Sequence, residues 1–159
     1  MMKQVACCAL LFLLPAFVVQ AQDDRGAYDY RSIIPPDWRM TQPAPGDRRF
    51  VSPDGKAWLS LYATPVGREA VRAHIERLKR DFGSGMVTYK RDGDTWLVLS
   101  GFKGSRIFYR KVMLACGGRA WHYLEFEYPG SEKRAFDAFV TRASYALKAY
   151  SNVGCNRPT

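Results

Sequence analysis

The side chains in this 159-residue sequence best suited to chemistry are two histidines, four cysteines and a few grouped carboxylates. His74 and His122 stand alone, without a second ligand at metal-binding spacing, so no metal site is read. His122 shares strand parity with Leu124 and Phe126, which makes it a core histidine. His74 lies one step from an apolar helical stripe and is expected at the helix border. Ser100-Gly101 and Gly104-Ser105 fall near strand ends, yet neither sits in Gly-x-Ser-x-Gly. Glu125 and Glu127 are spaced i,i+2 on one strand face, close to the separation used in glycoside cleavage. Arg110 is expected opposite Glu125, which makes a structural charge pair of the two. No catalytic residue, metal or cofactor follows from these spacings. A small secreted hydrolase using His122 with nearby acids is kept as an alternative.

The cysteines divide by position. Cys7 and Cys8 lie in an apolar run from Val5 to Val19, preceded by Lys3 and followed by Gln20-Ala21. One cation, an apolar run and a small terminal residue read as a secretory signal peptide over 1–21, cut after Ala21. As a helix the run reaches roughly 22 Å, short of the ~30 Å hydrocarbon core. No later run is long enough to span, so no transmembrane span is expected after cleavage. Cys116 and Cys155 then remain, and an oxidising compartment allows them one pairing. Such a bridge closes a loop worth roughly 4 kcal/mol in the chain-entropy model. A secreted, periplasmic location is the expectation.

Charge carries the remaining functional content. Lys plus Arg number 24 against 15 Asp plus Glu, a net +9. Arg48, Arg49, Lys90, Arg91, Lys103 and Arg106 fall at turns and strand ends, where they stay exposed and make a candidate surface for an anionic ligand. Export disfavours nucleic acid as partner, leaving an envelope protein or an anionic envelope component. The first helix is not part of this surface, because Glu69, Glu76 and Asp81 interleave with its cations.

The elements that must position these groups follow from periodicity. With 47% apolar and 14% aromatic residues the chain is globular, and its length suits one domain. Residues 22–27 read as a flexible N-terminal segment, 28–155 as one α+β domain and 156–159 as a tail. Tyr28 to Ile34 alternates as a strand, with a short edge strand near Trp38–Thr41. Pro53-Asp54-Gly55 turns a hairpin. Val71, Ile75, Leu78 and Phe82 mark a helix ended by Gly83-Ser84-Gly85. A four-stranded meander follows, with two-residue turns at Asp92-Gly93 and Gly117-Gly118. Ser131 is expected to cap a last helix whose stripe is Phe136, Phe139, Val140, Ala143, Leu147 and Tyr150.

The Gly117-Gly118 turn sets Leu114 opposite Trp121, Val112 opposite Tyr123 and Arg110 opposite Glu125. Both faces of these strands are apolar, so the expected architecture is an antiparallel meander sheet covered by two amphipathic helices. Trp96, Trp121 and Tyr123 are expected beneath helices. Cys116 continues the Leu114 parity, so the bridge should pin the last helix over the Leu114 face.

Tyr30-Arg-Ser-Ile-Ile-Pro-Pro-Asp-Trp38 and Phe50-Val-Ser-Pro-Asp-Gly-Lys-Ala57, followed by helix, meander and a Phe-rich closing helix, resemble the Mog1/PsbP-like fold. The block from Trp96 to Pro129 is similar to small secreted proteobacterial proteins of uncharacterised role. The likeness covers residues 28–150 and implies a non-enzymatic binding or accessory role. A purely structural envelope protein is the third reading.

Overall fold

The computed structural model describes residues 34–43, 47–81, 85–149 and 155. The expected signal peptide, the segment 22–27, most of the Tyr28–Ile34 strand, Phe82 and Tyr150 lie outside the described residues. Seven strands and two α-helices form one α+β domain. The strands are β1 (Arg39–Thr41), β2 (Arg48–Val51), β3 (Trp58–Pro65), β4 (Met86–Asp92), β5 (Trp96–Lys103), β6 (Arg106–Ala115) and β7 (Ala120–Pro129). The helices are α1 (Val71–Asp81) and α2 (Lys133–Ala149).

All neighbours pair antiparallel, in the order β1-β2-β3-β7-β6-β5-β4. The last strand of the meander therefore returns to the centre and joins the N-terminal hairpin to it through β3. The β2–β3 turn is built by side chains. The Ser52 hydroxyl donates to Asp54 at 2.6 Å and accepts from the Ala57 amide at 2.9 Å, while Gly55 takes φ +71°. The β6–β7 register is as expected, with Leu114, Val112 and Arg110 opposite Trp121, Tyr123 and Glu125.

Two turns depart from expectation. Asp92 stays in β4, opposite Leu97, and the chain reverses over residues 93–96. Its carboxylate meets the Lys79 ammonium of α1 at 2.5 Å, a tertiary partner no local turn signal can register. Cys116 leaves β6 for a 3-10 turn (Cys116–Gly118) with φ +56°, a left-handed backbone. Ser131 likewise sits in a 3-10 turn (Gly130–Glu132) that has no side-chain cap.

The sheet has two faces of different fate. On one, Ile75 and Leu78 of α1 pack against Leu97, Leu99, Phe108, Val112, Trp121 and Tyr123. On the other, Phe139, Ala143 and Leu147 of α2 pack against Leu59, Leu61, Ile107, Leu124 and Phe126. Trp38 completes this second core, its ring 5.5 Å from Phe139 and 6.1 Å from Phe126.

The last helix thus covers the Leu124 face, opposite to the expected one. The disulfide itself is present, with Cys116 and Cys155 Cα atoms 5.1 Å apart. Strand parity ends at Ala115, because a residue with φ +56° no longer alternates with its neighbours. The Cys116 side chain is thereby released from the Leu114 parity and bonds Cys155, which follows α2 in sequence.

Candidate binding face

Each helix covers only part of its side of the sheet. The α1 cluster occupies β5, β6 and the start of β7. Beyond it, on the same face, cross-strand pairing aligns Arg49, Ser60, Glu125 and Arg110 in one row, and Arg39 and Val51 with Trp58, Glu127 and Phe108 in the next. Among the described residues the α1 core meets these rows only at Phe108 of β6, and their β1, β2, β3 and β7 members belong to neither helix core. The strands keep their polar residues here because alternation places them opposite the α2 core: Leu59 and Leu61 point one way, Trp58, Ser60 and Tyr62 the other.

Long side chains cover the short ones. The Arg49 guanidinium lies 4.5 Å over the Trp58 ring, and its Nε donates to Ser60 Oγ at 3.0 Å. Arg106 Nε donates to Glu127 Oε1 at 2.6 Å, and a terminal nitrogen donates to the Lys56 carbonyl at 2.7 Å. Ser60 and Glu127 are buried, although among the described residues neither α1 nor α2 has its core over them. The Tyr62 hydroxyl donates to Glu125 Oε1 at 2.9 Å. Burial, with the Glu125 charge added, pushes the Tyr62 phenol well above its ordinary range. Arg110 stands directly opposite Glu125, its guanidinium 5.4 Å over Phe108.

At the border between this face and α1 lies a hydrogen-bonded chain. His74 stacks on Trp121 at 4.4 Å, with Nε2 2.9 Å from the Tyr123 hydroxyl and Nδ1 3.1 Å from Glu69 Oε2. Arg77 reaches the same Nδ1 at 2.8 Å and also binds Glu69. With its proton on Nδ1 the ring donates to Glu69. With the proton on Nε2 it donates to Tyr123 and accepts from Arg77. Tyr62 stacks on Tyr123 at 4.6 Å. The Arg77 hydrogen bond, with the His74 bond added, holds Glu69 below the usual carboxylate range.

A carboxylate, an imidazole and a phenol in series resemble nucleophile-activating machinery. Burial raises the Tyr123 pKa, which keeps the phenol protonated within this network. The chain ties α1 to the sheet. His74 is buried in this network, not held at the helix border as its position beside the stripe suggested.

The six cations read as one anionic-ligand surface do not converge. Arg49 and Arg106 lie on the open face described above. Pairing with Leu61 and Val98 puts Arg48 and Arg91 on the α2 side. Lys90 is on the far edge strand, five strand spacings or roughly 24 Å from β2. Lys103 ends β5. Arg39, Trp58, Ser60 and Tyr62 join the face without having been singled out. The signal for Trp58, Ser60 and Tyr62 was the alternation of β3, whose polar face is identified once β3 is paired with β7, and Arg39 enters through the β1–β2 pairing. Trp121 and Tyr123 are buried as expected, whereas Trp96 is 36% exposed beyond the reach of α2.

His122 is buried on the α2 side, its Nε2 3.9 Å from the Cys116 sulfur. Burial drops its pKa to about 4. A carboxylate, that of Glu69, stands at His74. Among the described residues no three His, Cys, Asp or Glu side chains gather as a metal site, and no helix is long and apolar enough to cross a membrane.

No family model matches the chain, and no curated protein does. A crystal structure from Bacteroides thetaiotaomicron is similar over 64% of this chain and 39% of that one, at 19% identity and a TM-score of 0.38.

Proposed function

We propose that this is an exported, periplasmic, non-enzymatic binding or accessory protein of the cell envelope, with a Mog1/PsbP-like arrangement of its sheet and helices. Its binding surface is the open part of the α1 face, and its ligand is an anionic envelope component. One observation carries the reading: next to the α1 core, which it meets at Tyr62 and Phe108, the sheet gathers Arg39, Arg49, Arg106 and Arg110 with Trp58 on one face. Both glutamates of the face already accept bonds, Glu127 from Arg106 and Glu125 from Tyr62, so they are poor acid–base candidates. The raised pKa values of Tyr62 and Tyr123 and the lowered one of His122 also fit binding better than proton transfer at neutral pH.

The test is co-sedimentation of the mature protein with phosphatidylglycerol vesicles and, separately, with a polyanionic glycan, across a salt series. Binding to one of them that weakens with salt and is lost in Arg49→Glu supports the reading. Binding indifferent to both salt and Arg49→Glu, or none to either probe, overturns it.

A further inference from the structure

β4 is the last strand of the sheet, and six of its seven residues are exposed. Among the described residues nothing pairs with its outer edge. Five of the large apolar side chains that remain exposed cluster here: Met86 at 62%, Tyr89 at 49%, Val87 and Phe102 at 38% and Trp96 at 36%. An open groove of about 370 Å³ runs along the strand, lined by Lys79, Val87, Thr88, Tyr89, Lys90 and Leu99. Exposed edges of this length are ordinarily shortened or covered, because their unpaired amides and carbonyls template further strands.

The charges decide what can dock. Lys90 and Arg91 are exposed on the strand, while the only acid there, Asp92, is matched by Lys79 at 2.5 Å. Lys103 sits at the other end of the neighbouring strand. Two copies pairing through this edge would set these cations against each other, and the bulge between Val87 and Tyr89 further spoils self-pairing. An acidic strand meets the opposite situation. We propose that β4 accepts an extended segment of a partner protein, with alternating apolar and carboxylate side chains, as an eighth antiparallel strand. The segment's backbone completes the ladder, its apolar side chains cover Met86, Tyr89 and Phe102 on the α2 side, and its carboxylates meet Lys90 on the α1 side, while Arg91 adds positive charge from the opposite face. This site is separate from the Arg49 face and does not depend on it.

The test uses the mature, disulfide-intact protein to select from a display library of random octapeptides, followed by amide NMR with the selected peptide. Selected sequences should alternate β-formers with Asp or Glu, and amide shifts should centre on β4 and β5. Lys90→Glu/Arg91→Glu, an exposed pair of changes that leaves both cores intact, should weaken binding about tenfold or more. The same peptide N-methylated at alternate residues should not bind, because it cannot complete the ladder. The proposal is overturned by selection of neutral or basic sequences or of none, by shifts centred on another surface, by undiminished binding of the N-methylated peptide, or by a dimer formed through β4.

Discussion

Lowering the pH should destabilise the fold through His122 in particular. The imidazole is 4% exposed and its pKa is about 4, against 6.5 without burial. Folded chains therefore keep it neutral while unfolded chains protonate it below the ordinary value. The stabilising difference is complete above pH 6.5 and is lost as the pH falls toward 4. At ~1.4 kcal/mol per pKa unit the full window is worth about 3 kcal/mol, of which about 2 kcal/mol is gone by pH ~4.5. Urea titrations of the wild type and of His122→Gln, each at about pH 7 and about pH 4.5, isolate the effect, because the carboxylates titrate alike in both proteins. The wild type should lose about 2 kcal/mol more than the variant between the two conditions. Equal losses would refute the reasoning and would mean that water reaches the imidazole beside the disulfide. They would also reopen His122 as a general base, a role that needs a pKa near the working pH.

Three further outcomes are expected. Cys116→Ala/Cys155→Ala removes a bridge between residues 39 apart and should cost about 4 kcal/mol of unfolding free energy, read from the urea midpoint; an unchanged midpoint would show that α2 docks without it. Arg106→Ala strands the buried Glu127 carboxylate and should destabilise by about 2–3 kcal/mol, with Arg106→Ala/Glu127→Gln recovering part of the loss. Gly101→Ala drives a methyl into the Met86 carbonyl across the β4 bulge, so hydrogen exchange should quicken in β4 while β6 and β7 stay protected.

The meander was legible in the sequence wherever local chemistry and tertiary need agree. Gly117-Gly118 centres the β6–β7 hairpin, and the apolar parity on either side of it needs the register found. Pro53-Asp54-Gly55 turns β2 into β3 because Ser52 and Asp54 bond to the turn's own backbone. Legibility failed where a residue answers to something distant in the chain. Asp92 reads as a turn residue beside Gly93 but serves Lys79, and Cys116 reads as the end of a strand but adopts φ +56°. The anionic-ligand set failed for the same reason. Exposure at turns is a local property, whereas a shared surface depends on strand order, and the order placed Lys90 and Arg49 at opposite sides of the sheet.

Sequence alone determined the types of the described strands and helices, the β6–β7 register, the two amphipathic helices and, with Cys7 and Cys8 assigned to a signal peptide, the Cys116–Cys155 pairing, because each follows from periodicity, turn chemistry or count. Only the tertiary structure decided that β7 lies between β3 and β6, which helix covers which face, and that His74 joins Glu69, Tyr123 and Arg77. Those outcomes depend on pairing between strands some 60 residues apart and on how far an 11- or 17-residue helix reaches across a seven-stranded sheet. Among the described residues, strand pairing and helix reach are also what leave the arginine-bearing face outside α2 and the β4 edge unpaired.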